Sequence, residues 1–203
     1  MDALLAGPSS KDAGLTTAIP AGTKLRKVTI AGGTATVDLS TTFGTGGGST
    51  SMQQRVAQVV FTLTQFPSVQ RVSFEMAGTP VTALGGEGLM IGTPQTRTAW
   101  ESMSPAILVE HPLPGDRITS PFTISGTANT FEATFQVTLT DVAGVTRYEH
   151  YVTATSGTGT RGTFSQTITF QGAPTDAGTL QVYEASAKDG SHINIVNIPV
   201  VLS

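Results

Sequence analysis

The sequence has no cysteine in 203 residues, one tryptophan, and few charges: 11 Lys plus Arg against 14 Asp plus Glu. Each shortage excludes something. Without cysteine there is no disulfide, thiol nucleophile or thiolate metal site. Charged residues make up 12%, about half of the ~25% usual in globular chains. The basic residues are scattered and the net charge is -3, so there is no electrostatic footprint for nucleic acid or an anionic membrane surface. No apolar run approaches the ~18 residues of a membrane span. The opening Met1-Asp2-Ala3-Leu4-Leu5-Ala6-Gly7-Pro8 is not a signal peptide, which leaves either a cytosolic chain or an export signal outside this sequence. Hydroxyls are what abound. The 34 Thr and 16 Ser stand where most soluble chains carry Lys and Glu, and Thr favours strands. With 38% apolar residues the chain is rich enough to fold, and its length suits one large domain or two small ones. This is the composition of a β-rich exported protein.

The first hundred residues mix periods. Leu4 and Leu5 before Gly7-Pro8 read as the last turn of a helix with a glycine cap and a proline stop. Two β-prone runs, 26–31 and 34–40, flank Gly32-Gly33, which supplies the positive φ angles of a two-residue hairpin. The stretch Phe43-Gly44-Thr45-Gly46-Gly47-Gly48 reads as a flexible loop, and Ser51 with Gln54 as a capping box that starts a helix. Met52, Val56, Val59, Val60, Leu63 and Phe66 carry that helix to its stop at Pro67. Val72, Phe74 and Met76 then alternate with Arg71, Ser73 and Glu75, as in a half-buried strand.

Periodicity fades between Leu89 and Ser104, which reads as a linker and sets the expected domains at 1–104 and 105–203. Beyond it seven runs are strand-like: 107–110, 118–126, 133–141, 145–155, 163–170, 179–187 and 192–202. Short strands with turn signals about every 8 to 12 residues predict a β-sandwich. Phe135, Val137 and Leu139 alternate with Thr134, Gln136, Thr138 and Thr140, so one face is wet. Asp189-Gly190 marks a hairpin, and a parity change in the last run predicts a bulge near Asn197 and Pro199. The fold class is therefore α+β: a small α/β domain followed by an all-β immunoglobulin-like sandwich.

Particular residues carry a resemblance. The Ala3-Leu4-Leu5-Ala6-Gly7-Pro8 and Leu15-Thr16-Thr17-Ala18-Ile19-Pro20 runs, Val37-Asp38-Leu39-Ser40, and Val56-Ala57-Gln58-Val59-Val60-Phe61-Thr62-Leu63 resemble the GerMN domain of sporulation and germination proteins. Pro121-Phe122-Thr123-Ile124-Ser125-Gly126, Phe131-Glu132-Ala133, Gly162-Thr163-Phe164 and Ser186-Ala187-Lys188-Asp189-Gly190-Ser191 resemble the Gmad-type immunoglobulin-like domain of bacterial spore germination. The resemblance implies an extracytoplasmic envelope protein, held to the membrane only through a lipid anchor outside this sequence. It implies partner binding or self-association, and no cofactor. It also implies a further opening strand, whose absence would leave a sheet edge for another chain to fill.

His111, His150 and His192 lack a companion motif, and no G-x-S-x-G nucleophile elbow exists. The Gly44–Ser49 loop fails as a phosphate cradle: Ser49 replaces the last glycine of G-x-G-x-x-G, and a Walker lysine is missing. Glu132 and Glu184 are the acids that an envelope hydrolase would use, but carboxylate pairs act from one cleft and these acids are dispersed. They suit acceptors for turn amides, or partners for Arg147 or Arg161. No catalytic, cofactor or metal residue is assigned. Trp100, in the aperiodic stretch, is the candidate interface residue, either on an interdomain seam or facing a partner. The expected function is non-catalytic binding or scaffolding at the envelope, by self-association or with envelope proteins. A cell-wall glycan or peptide is the alternative ligand for the sandwich, and no nucleic acid is expected.

Overall fold

The computed structural model describes residues 1–9, 15–86, 88–171 and 176–203. Gly85-Gly86-Glu87-Gly88 is a turn-type cluster by composition, and its Glu87 lies outside the described residues. The chain divides into two compact units at Met103/Ser104.

The first unit begins with α1 (Asp2–Ala6), which ends at Gly7 with φ 72° and leans Leu4 and Leu5 on the core. Strands β1 (Leu25–Ala31) and β2 (Thr34–Leu39) pair antiparallel around Gly32 and Gly33, at φ 52° and 74°. Two such left-handed residues give the turn whose twist matches its strands. A 3-10 turn, Thr41–Gly44, leads to α2 (Ser49–Leu63), which crosses over so that β3 (Arg71–Met76) runs parallel to β2. The helix starts two residues before Ser51, at an N-cap Gly48 with no side-chain bond, so the capping box does not form. It also stops at Leu63, leaving Phe66 outside the helix and 53% exposed.

Short strands β4 (Thr79–Pro80), β5 (Ala83–Leu84), β6 (Leu89–Met90) and β7 (Gln95–Thr96) follow. Strands β4 and β7 pair with opposite ends of β3, and β5 with β6. The expected linker is thus partly sheet, closed by a 3-10 helix at Thr98–Met103. The sheet order is β1-β2-β3-β4, and β1 has β2 as its one strand partner among the described residues. Ala35, Val37 and Leu39 of β2, Val72 and Phe74 of β3, and Val56, Val59 and Val60 of α2 meet in the core. Each buried Val or Leu contributes about 1.5–3 kcal/mol. Asp38, between two core residues, is buried because it has work at a turn: Oδ1 accepts from Gly78 N at 3.0 Å and Oδ2 from Arg26 Nε at 3.1 Å.

The second unit is a two-sheet sandwich. Strands β8 (Ile107–His111), β10 (Phe122–Ala128) and β13 (Gly162–Ile168) form one sheet in the order β13-β10-β8. The other follows the order β12-β11-β14-β15-β9, from β9 (Arg117–Ile118), β11 (Thr134–Asp141), β12 (Thr146–Thr153), β14 (Ala177–Ala185) and β15 (His192–Leu202). There are eight strands where seven runs were read, because the 118–126 run divides at Pro121, which has no amide to donate. Strand β11 alternates as expected: Phe135, Val137 and Leu139 are buried, with Thr and Gln between them. Gly126 is required by close packing, since a Cβ there would overlap the Leu108 carbonyl oxygen.

The bulge in β15 falls at Asn194, with φ 53°, where the register with β14 shifts between Val182 and Glu184; it is not at Asn197 or Pro199. An asparagine tolerates that left-handed conformation better than the flanking isoleucines would. Asp189-Gly190 lies in the hairpin expected there, which joins β14 to β15 through a six-residue connection: the Ser186 amide donates to Ser191 O at 2.8 Å and Ala185 pairs with His192.

Candidate functional site

The glycine loop before α2 is held by the helix. Arg55, one turn inside α2, is 4% exposed, and its guanidinium reaches back across the loop. Nη1 donates to the carbonyl oxygens of Phe43 at 2.9 Å and Thr45 at 2.8 Å, and Nη2 to Gly46 O at 2.8 Å and Ser51 Oγ at 3.2 Å. Nε donates to Ala18 O at 2.9 Å. All five guanidinium hydrogens thus find acceptors in a fixed fork, and burial pulls its pKa below the ordinary value. Gly46 and Gly47, at φ 62° and 77°, turn the carbonyls inward. The loop is a strap whose carbonyls at Phe43, Thr45 and Gly46 face a cation of the chain's own. Nothing in the sequence reading singled out Arg55; its place on the apolar face of α2, beside Met52 and Val56, was the available signal.

The adjacent face of α2 borders a shallow groove of about 190 Å³, lined by Thr16, Ala18, Gln54, Gln58, Phe61 and Met103 among others. That is below the ~300 Å³ where small-molecule sites begin, and among the described residues no ionisable side chain lines it. Gln58 Oε1 accepts from Thr17 Oγ1 at 3.3 Å, and the Arg97 guanidinium lies 4.9 Å over the Phe61 ring. The groove offers contact area and the amides of Gln54 and Gln58.

The residues weighed for catalysis are dispersed. His111 Nδ1 lies 3.9 Å from Asp116, His150 faces Tyr148, and His192 stacks on Tyr183 at 3.7 Å; all three are exposed. Glu184 is 8% exposed, and both oxygens are engaged, Oε1 by Phe131 N at 2.9 Å and Oε2 by Asn194 Nδ2. It is an acceptor for a turn amide. Glu132 sits in the left-handed region at φ 52°, its amide bonded to Thr158 Oγ1 at 3.0 Å. Arg147 turns to Asp141, not to either glutamate, at 2.8 Å. Asp141 also accepts from the amides of Ala143 and Val145, both at 2.9 Å, and these bonds, with Arg147, hold its carboxyl below the usual range against the opposing cost of burial. Arg161 bonds Pro105 O at 2.7 Å and Thr127. Among the described residues no three His, Asp or Glu side chains gather as a metal site.

Trp100, the candidate interface residue, is 8% exposed in the first unit's core. Its Nε1 donates to the Oε1 of buried Gln95 at 3.1 Å. Little of the ring is left for a partner.

Among the described residues no helix is long and apolar enough to cross a membrane. No curated protein matches the chain. Three solved structures are similar. A candidate lipoprotein from Clostridium perfringens is 29% identical, covering 47% of this chain and 63% of that one, with a TM-score of 0.44. The first GerMN domain of the sporulation protein GerM from Bacillus subtilis is 30% identical, covering 42% and 63%, with a TM-score of 0.39. The tandem GerMN domains of the same protein are 21% identical, covering 78% and 45%, with a TM-score of 0.41. The chain thus spans about 63% of the first two structures. Residues 1–82 match the Germane family, described as sporulation and spore germination, and residues 106–191 match Gmad2, the immunoglobulin-like domain of bacterial spore germination. The chain belongs to these germination families, as a GerMN domain followed by a Gmad2-type immunoglobulin-like domain.

Proposed function

We propose that this protein is a non-catalytic component of the bacterial envelope that binds or scaffolds other proteins, with the GerMN domain as the assembling unit. Both matched families are described by spore germination, and neither description names a reaction. The observation that carries the reading is the open edge of the first sheet. Strand β1 offers seven residues whose outer edge meets no strand among the described residues, with Ile30 54% exposed. Such an edge is a template for a strand from another chain. The amide-lined groove beside α2 offers a second contact surface in the same unit. An extracytoplasmic location with a lipid anchor outside this sequence accords with the germination families and the low-charge, hydroxyl-rich composition.

Light scattering on size-separated full-length exported protein, together with cross-linking in the native envelope, tests the reading. Assembly or a recovered envelope partner is expected, weakened by Ile30→Lys, which places a charge on the edge. A strict monomer at high concentration with no cross-linked partner overturns it.

A further inference from the structure

The outer face of the five-stranded sheet has a composition that its role as the back of a sandwich does not require. Cross-strand partners share a face, and so do residues two apart on a strand. The register therefore builds three rows. Tyr151, Gln136 and Tyr183 form the first; Glu149, Thr138, Gln181 and Asn197 the second; Thr146, Thr140, Thr179 and Pro199 the third. Glu149 is the one ionised side chain in these rows; Arg147, two residues before it at the bulge, shares the face and is paired with Asp141, and exposed Arg117 pairs with Val201 beyond the third row. Tyr151 is 73% exposed. Tyr183 is covered by the exposed ring of His192, stacked at 3.7 Å and 19°. Gln181 Nε2 donates to Asn197 Oδ1 at 2.8 Å, which leaves the other half of each amide unbonded among the described residues. The Gln136 amide makes no hydrogen bond among them.

We propose that this face binds a neutral glycan, with Tyr151 stacking on a sugar ring and Gln136, Gln181 and Asn197 bonding its hydroxyl or acetamido groups. Charge gives anionic polymers little hold, because no Lys or Arg stands in the three rows and the adjoining Arg147 is already paired with Asp141. Polarity decides against a protein. The centre of a protein interface is apolar, and covering amides and hydroxyls with apolar side chains leaves each one desolvated without a partner. A glycan brings donors and acceptors on every ring, so the same groups are satisfied. Its C–H face meets an aromatic ring that is already exposed and, as a two-torsion side chain, loses little freedom on binding. The proposal concerns the second unit and does not rest on assembly through the first.

The full chain is titrated with chitohexaose and cellohexaose by calorimetry, with ¹⁵N amide shifts followed in parallel. Binding of either oligomer is expected, with shifts at Gln136, Tyr151, Gln181 and Asn197. A response to chitohexaose alone assigns the acetamido group as the feature read; a response to both assigns the shared β-1,4 backbone. Tyr151→Ala is expected to weaken binding about tenfold or more, a loss of about 1.4 kcal/mol per tenfold. Tyr151→Phe keeps the ring and stays within about threefold. Phe131→Ala, at an exposed side chain outside the three rows, leaves affinity unchanged. No binding of either oligomer at roughly 10 mM, unaltered binding by folded Tyr151→Ala, or shifts confined to another surface overturns the proposal. The assembly reading is decided separately, by light scattering.

Discussion

Arg55 Nη1 donates to the carbonyl oxygen of Phe43 at 2.9 Å, tying the apolar face of α2 to the turn that precedes it. Among the described residues no carboxylate is an acceptor for this guanidinium. Backbone carbonyls and one hydroxyl take its hydrogens, so the charge is solvated by the protein's own dipoles. Arg55→Met preserves the buried aliphatic length and strands those carbonyls. We expect a loss of about 2 kcal/mol or more in urea unfolding. Arg55→Lys restores the charge but supplies three donors, so it is expected to recover only part of that loss. Equal stability of wild type and Arg55→Met would show that the strap needs no anchor.

Asp141 makes the second unit acid-sensitive. Its folded pKa is depressed, chiefly by the Val145 amide and with help from Arg147. Stability from a depressed acid is complete above the unfolded value, about 3.9, and is lost as pH falls through the lower folded value. Thermal melts between pH 6 and 2 should show a decline that begins below about pH 4. In Asp141→Asn that part of the decline is absent, at the cost of lower stability at pH 6.

The single tryptophan is a built-in reporter. Trp100 is 8% exposed and its indole nitrogen is bonded to Gln95. Native emission is expected to be blue-shifted and poorly quenched by iodide, moving to the red on unfolding. Trp100→Phe keeps the ring in the core but leaves the Gln95 oxygen without a donor, costing about 1–3 kcal/mol. Strong iodide quenching of the native protein would contradict this placement.

The turn between β3 and β4 can be improved. Ala77 and Gly78 hold φ 50° and 82°, and Ala77 is exposed. Alanine dislikes the left-handed region by about 1–2 kcal/mol, whereas asparagine before glycine suits both positions. Ala77→Asn is expected to raise stability by about 1 kcal/mol, read as a higher denaturation midpoint. An unchanged or lower midpoint would mean that the neighbouring Asp38 bond to Gly78 N does not survive the change.

Gly126 tests the sandwich packing. Any side chain there overlaps the Leu108 carbonyl, so Gly126→Ala must spread β8 and β10. A loss of about 2 kcal/mol or more is expected, read in denaturant unfolding of the full chain. An unchanged midpoint would mean that the two strands separate freely.

Much of this molecule follows from local pattern. The spacing of Met52, Val56, Val59, Val60 and Leu63 requires a helix with one covered face, Gly32-Gly33 requires a tight hairpin, and the alternation of Phe135, Val137 and Leu139 with Thr and Gln requires a half-wet strand. These follow from the sequence alone because side-chain polarity repeats with the backbone's own period. The helix begins at Ser49, two residues before the Ser51 capping pattern, where the preceding loop is held by Arg55 of the helix itself. The carbonyls of residues 18, 43, 45 and 46 that meet that arginine were invisible, since every residue type carries the same carbonyl and only folding brings them together. The polar outer face of the second sheet is similar. Tyr151, Gln136, Gln181 and Asn197 come from four strands, and the strand register, a long-range outcome of burying the opposite parity, made them neighbours.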